Sequence, residues 1–305
     1  MTAEPAEKPA RMARGKARKA VPAAPSERLV RTGTATARAT AAKPGNHLVF
    51  AVSEGTSGGI DPTEAVQKYR PLADVLAAAA DLPVTVTLVR SFEALEAGMK
   101  AGTYDLVMAR PSDYPGRGVR DYGYSLVATA KPDGQSVFIV NEDSPLKSLV
   151  DTKGKVVMLP EKVSYMAKFC TAELRDHGID LSTANVTYTR EQGGVGAAVE
   201  THMVDVGCVA SYSGVARNWE KKGHRILHRS APRPYFPLIA NKRVPAGKLA
   251  RMQKALASLP GTDAGRNVLN TIGVQAFNTD DAPRLMELLA WIEPPKAGQA
   301  KLTRK

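Results

Sequence analysis

Runs of consecutive apolar residues alternate with segments whose apolar positions recur every three to four residues, and this pattern organises residues 47–292. LVFAV (48–52) is apolar throughout, as in a strand buried on both faces. After the polar loop SEGTSGGIDP, the Asp61-Pro62 start signal and the spacing of Val66, Tyr69, Leu72, Ala73 and Leu76 predict a helix over 63–80. PVTVTLV predicts a second strand ending at Arg90. Ser91 then caps a helix to about Ala101 with Phe92, Leu95 and Met99 on one face, and YDLVMA predicts a third strand that runs into a loop, RPSDYPGRG.

The pattern changes at YSLVATA and SVFIVN, two β-rich segments either side of KPDG, which reads as the turn of a hairpin-like crossing. A second alternating unit follows. It has a capped short helix, the strand VVML, a helix from Ser164 to His177 closed by Gly178, the strand NVTYT, the helix VGAAVETHM, the strand VDVGCVA and the helix SGVARNWEKKG. RILHRS, a loop APRPYFP, LIANK and three helices (Ala246 to Leu259, Asp263 to Ile272, Asp280 to Ile292) close the chain. The fold class expected is α/β with two lobes, each a mostly parallel sheet flanked by helices and joined by crossing hinge strands. The first lobe takes 47–135 plus 232–292 and the second 136–231. Ligand sites in such sheets lie beyond the carboxyl ends of the strands, here Ser53 to Gly59, Arg90 to Ser91 and Ala109 to Ser112.

Charge separates one region from the rest. The 305 residues are 43% apolar and 24% charged with a net charge of +12, but residues 1–47 hold ten Lys/Arg against three Glu and few large apolar side chains. Residues 1–46 therefore read as a disordered basic tail, and 293–305 as a short C-terminal one. The first tail lacks aromatics for stacking on single strands, so nucleic acid is not expected as a partner. It also shows no secretory signal pattern. No run approaches the roughly 18 apolar residues that span a bilayer.

The blocks DPTEAVQKYRPLADVLAAA, YDLVMARPSDY, SVFIVNEDSPLKSLVDTKGKVVMLPEKVSY and GGVGAAVETHMVDVGCVASYSG together resemble the phosphate/phosphite/phosphonate substrate-binding proteins of ABC transporters, which have a type II periplasmic-binding-protein fold. The resemblance covers about residues 47–292. It implies a monomeric, non-catalytic, extracytoplasmic protein that captures a small oxyanion or phosphonate-like ligand between its lobes for a permease. Backbone N–H groups at helix starts, hydroxyls and aromatic side chains hold the ligand in that family, and a helix N-terminus suits an anion on general grounds. By position, the resemblance implies Ser53, Glu54, Gly55 and Thr56 after the first strand, Arg110, Pro111 and Ser112 after the third, and Ser164, Tyr165, Ser211, Tyr212 and Tyr235 from the second half. Pro234 and Phe236 extend an aromatic wall, and Arg233 adds charge.

This chain departs from the family where relatives carry a Ser-Thr-Ser-Gly run. Ser164 is kept, Tyr165 and Met166 replace two hydroxyls, and Ala167 stands for the glycine, which suits a ligand bulkier or softer than phosphate. Cys208 stands where relatives have a small residue. Cys170 and Cys208 both read as core by periodicity, and spacing leaves a bridge between them open. Arsenite-sensing relatives use cysteine as a soft ligand, so a sensor signalling to a histidine kinase, with Cys208 as a soft-ligand candidate, is the alternative reading. No cofactor motif, metal-ligand spacing, Walker loop or nucleophile elbow is present, so an enzyme is not expected.

Overall fold

The computed structural model of the chain describes residues 46–55, 61–181 and 185–293. Both expected tails, apart from Asn46 and Glu293, and the candidate Thr56 lie outside the described residues. The first part of the chain runs β1 (Leu48–Ser53), α1 (Pro62–Ala80), β2 (Val84–Leu88), α2 (Phe92–Lys100), β3 (Leu106–Ala109), α3 (Asp113–Asp121) and β4 (Tyr124–Gly134). The middle part runs β5 (Ser136–Val140), β6 (Val156–Pro160), α4 (Tyr165–Asp176), β7 (Asn185–Thr189), α5 (Gln192–Glu200), β8 (Val206–Ala210), α6 (Gly214–Asn218) and β9 (Arg225–Arg229). The chain then returns through β10 (Arg233–Asn241), α7 (Ala246–Ser258), α8 (Asp263–Ile272), β11 (Ala276–Asn278) and α9 (Ala282–Ile292).

Two sheets result, a six-stranded one in the order β11-β4-β10-β3-β1-β2 and a five-stranded one in the order β7-β6-β8-β5-β9. Each is mixed. β1 to β3, and β6 to β8, pair in parallel as their helical connections require, whereas β10, β4 and β11, and β5 with β8 and β9, pair antiparallel. Strands such as LVMA in β3 and VGCVA in β8 are buried along their whole length because helices cover both faces.

Local chemistry accounts for the helix starts. Asp61 and Glu64 form a capping box around Pro62 at the start of α1, and Ser91 caps α2. The buried stripe of α1 runs through Ala65, Tyr69, Leu72, Ala73, Leu76 and Ala80. Val66, expected on that stripe, is 37% exposed instead.

Three sequence expectations are corrected. KPDG is no hairpin turn: it continues β4 to Gly134, which pairs with Arg233, and the chain passes directly into β5 of the other sheet. RPYFP is no loop but the first part of β10, whose register shifts near Tyr235 let it bend between neighbours. The segment after β3 is helix α3, despite Pro115, Gly116 and Gly118. Gly118 is there for space, since a Cβ would lie 2.6 Å from Ile239 Cδ1.

Cys170 of α4 and Cys208 of β8 form a disulfide with a Cα–Cα distance of 6.3 Å, and both residues are fully buried. The expectation of core positions holds for both. Cys208 offers no thiolate as a soft ligand, because its sulfur is already bonded to that of Cys170.

Candidate functional site

Glu54 follows β1 and Arg110 follows β3, and these strands are adjacent and parallel, so their carboxyl ends meet. The Arg110 amide donates to the Ser53 carbonyl at 2.9 Å, which brings the two side chains together. Arg110 Nε donates to Glu54 Oε2. The other carboxylate oxygen accepts from the Tyr69 hydroxyl and, at 2.6 Å, from Lys68 Nζ. Lys68 and Tyr69 belong to α1, where local spacing marks only Tyr69 as inward-facing. Burial by itself raises the Glu54 carboxyl, but the Arg110 charge and the hydrogen bonds from Lys68 and Tyr69 outweigh it and hold the group below its ordinary range. Burial first, then the Glu54 charge, pushes the Tyr69 phenol well up, so it stays a donor. Two cations to one carboxylate leave this buried cluster with one net positive charge.

The Arg110 guanidinium also faces an aromatic wall, 4.5 Å from the Phe236 ring centroid, 5.6 Å from that of Tyr235 and 5.8 Å from that of Tyr212. Tyr212 and Tyr235 stack with centroids 4.2 Å apart. Phe236 has φ 49°, a left-handed conformation that costs a bulky residue about 1–3 kcal/mol and that turns β10 at this wall.

On one side of the cluster stands the start of α4. Ser164 is its N-cap, accepting from the Ala167 amide at 3.2 Å. Tyr165 and Met166 are buried, and Tyr165 packs edge-on against Phe169. Burial holds the Tyr165 phenol well above its ordinary value, with the Ser112 hydroxyl pulling the other way. The space left among Glu54, Gly55, Arg110, Pro111, Ser164, Tyr165, Met166 and Tyr212 is only about 10 Å³, close to one water. Gly55 has φ 61°, and a Cβ there would also lie 3.2 Å from Pro111, so glycine lets this loop close.

On the other side the cluster borders an open cavity of about 470 Å³. Lys68, Glu54 and Arg110 form part of its wall, with Gln192 and Gly193 at the start of α5, Ser213 to Val215 and Arg217 around α6, and Asn270 to Gly273 at the end of α8. Gln192 is held by its Oε1, which accepts from the Ala210 amide at 2.7 Å, and Ser213 caps α6 through the Ala216 amide at 3.1 Å.

Of the residues expected from sequence, Glu54, Arg110 and Tyr212 line both spaces, while Gly55, Pro111, Ser164 and Tyr165 line only the small one. Ser53, Ser112, Ser211 and Tyr235 line neither. Ser211 is occupied in extending the pairing of β8 with β5, its Oγ accepting from the Gln135 amide at 3.1 Å while its own amide donates to the Gln135 carbonyl. The Ser53 hydroxyl and the Tyr235 phenol are buried with no hydrogen-bond partner among the described residues, an arrangement that costs about 1–3 kcal/mol per group. Lys68, Gln192, Arg217 and the α8 end went unnoticed in the sequence. A lysine on the polar face of a helix carries no local mark of its ion pair, and α5 begins at Gln192, three residues before the helix expected from Val195.

A family model described as ABC transporter, phosphonate, periplasmic substrate-binding protein matches residues 59–282, and the chain belongs to that family. Among solved structures, the chain is similar to the Xanthomonas citri protein XAC2383 bound to chloride ion, with a TM-score of 0.68 and 18% identity over 81% of this chain and 98% of that one. It is similar also to PhnD1 of Prochlorococcus marinus in complex with methylphosphonate (TM-score 0.63, 13% identity, 80% and 96% covered). The periplasmic aliphatic sulphonate binding protein SsuA of Escherichia coli aligns with a TM-score of 0.55 at 18% identity, over 82% and 80% of the chains. A comparison with curated proteins gives no match. The fold is thus the type II periplasmic-binding-protein fold, and the family is one of solute-binding components of ABC transporters. Among the described residues no helix is long and apolar enough to cross a membrane.

Proposed function

We propose that the two sheets are the cores of two lobes, 47–135 with 232–292 and 136–231, which close on a small organic anion of the phosphonate or sulphonate type and present it to a membrane permease. The observation that carries this reading is the Lys68–Glu54–Arg110 cluster, with its one net positive charge, in the wall of a cavity of about 470 Å³. Pockets of roughly 300–1,000 Å³ suit small organic ligands, whereas a bare tetrahedral oxyanion would leave most of this volume to water. The start of α5 adds backbone N–H groups to the same wall. Lys68 is a ligand contact on this reading, with Arg110 supplying charge from the same wall, held against the aromatic rings. A buried disulfide fits an oxidising compartment such as the periplasm. The alternative of a soft-oxyanion sensor needs a free thiolate, and the described cysteines are bonded to each other.

The test is calorimetric titration with methylphosphonate, methanesulphonate and inorganic phosphate, on wild type and on Lys68→Met. An organic anion should bind and raise the unfolding temperature of wild type, with affinity falling about tenfold or more in Lys68→Met. No binding of any anion, or equal affinity in the variant, would remove the reading.

A further inference from the structure

At the end of α4 remote from both cavities, two imidazoles and a carboxylate converge. Glu173 and His177 stand one turn apart on the helix, and His228 of β9 faces them across the edge of the five-stranded sheet. His228 Nε2 lies 2.7 Å from Glu173 Oε1, His177 Nδ1 lies 3.9 Å from the same oxygen, and the two imidazole centroids are 4.9 Å apart. One donor atom from each residue falls within 4.8 Å of the others, and among the described residues no other trio of His, Cys, Asp or Glu comes as close.

Three independent features make this more than a surface grouping. First, Glu173 is buried, and the basic groups within 4.0 Å of its carboxylate among the described residues are these two imidazoles, with no lysine or arginine to supply a fixed charge. Second, His177 Nδ1 lies 2.9 Å from the Glu173 backbone carbonyl. A carbonyl only accepts, so in the neutral ring this bond puts the proton on Nδ1 and leaves the Nε2 lone pair outward. Metal-bound histidines are usually oriented by such a bond. Third, the trio sits at the carboxyl end of a 12-residue helix, where the peptide dipoles favour a cation.

We propose that Glu173, His177 and His228 form a binding site for a borderline divalent metal ion, Zn²⁺ by preference, separate from the anion cavity. Imidazole nitrogen and carboxylate oxygen are the donors that Zn²⁺ takes in three-ligand sites with water in the fourth position, whereas Mg²⁺ and Ca²⁺ prefer all-oxygen shells. At Zn–N and Zn–O distances of about 2.0–2.2 Å, tetrahedral donor atoms lie roughly 3.4 Å apart. The His228–Glu173 pair must open slightly, and the partly exposed His177 must move so that Nε2, the nitrogen its carbonyl bond leaves free, reaches the ion in place of the Nδ1 now nearest the carboxylate. On binding, His228 gives up the Nε2 proton that now faces the carboxylate. The metal would pin α4 to β9, the strand that leads through residues 230–232 into β10 of the other sheet.

The experiment uses the full, untagged chain stripped with EDTA and titrated with ZnCl₂, followed by calorimetry and by cobalt(II) absorption in the visible range. Wild type should bind about one equivalent at micromolar metal, raise its unfolding temperature and give a four-coordinate cobalt spectrum. His177→Gln, at the most exposed of the three positions, should lose about tenfold or more in affinity, and His177→Gln/His228→Gln should lose the cobalt signal. Failure of wild type to bind zinc at these concentrations, or equal affinity in His177→Gln, would overturn the proposal. His177→Gln decides the matter even if the double variant does not fold.

Discussion

The starts of α4 and α5 both face the loop that follows β1, yet they border very different spaces. Beside α4, Tyr165 and Met166 fill the approach to Ser164 and leave about 10 Å³, whereas beside α5 the small residues Gly193, Ser213 and Gly214 leave about 470 Å³. The difference teaches that a helix start, however well capped, is only as available as the side chains of its first turn allow. Bulk has closed the α4 side and made it part of the core. Disulfide Cys170–Cys208, the Tyr165–Phe169 contact and the 2.6 Å bridge from Lys168 to Asp113 of α3 then fasten it. The α5 side keeps the polar wall and the cluster's net charge.

The largest effect should come from breaking the cluster that both sides share. Arg110→Met leaves Glu54 buried with one cation fewer, and denaturant titration should show a loss of about 3–5 kcal/mol. Glu54→Gln added to Arg110→Met should cost less than the sum of the two single changes, because both remove the same ion pair. Reduction of Cys170–Cys208, which closes a sequence separation of 38 residues, should cost about 3–4 kcal/mol and act on the α4 side. Anion affinity on the α5 side should change far less, as titration under reducing conditions would show.

Met166→Thr sharpens the comparison directly. It should destabilise by about 2 kcal/mol through the space it leaves, and it should raise affinity for inorganic phosphate relative to the organic anion by restoring room and a hydroxyl at the start of α4. An unchanged ratio of the two affinities would show that bulk is not what closes that side.

Acid should give the smallest effect. The folded Glu54 carboxyl lies below its ordinary value of 4.5, so its contribution to stability is whole above that pH and is lost as pH falls through the lower folded value. Thermal unfolding followed from neutral pH to below 4 should show a shallower decline for Glu54→Gln than for wild type.

Much of the frame was legible in the sequence. Asp61-Pro62 and Ser91 marked helix starts, LVFAV marked a strand buried on both faces, and VDVGCVA marked a strand with Cys208 in the core. Glu54 and Arg110 were found because both sit at carboxyl ends of strands that a βαβ connection makes parallel. Two of the mistakes fell where the chain crosses from one sheet to the other. KPDG and RPYFP look like turn and loop because proline and glycine interrupt the period, but pairing across the chain keeps both in strands. Val66 and Ala65 exchanged places because one step along a helix turns a side chain by about 100°.

By itself the sequence determined the order of strands and helices, their caps and the strand ends where charge gathers, since each of these depends on neighbours within a few residues. Only the tertiary structure decided that Arg110 is paired rather than free, that Cys170 meets Cys208, that Lys68 joins the cluster, and that α5 rather than α4 borders the open space. Those outcomes depend on distances and volumes between residues from 14 to more than 100 positions apart, as with Lys68 and Glu54 or Arg110 and Phe236, and periodicity along the chain carries no measure of either.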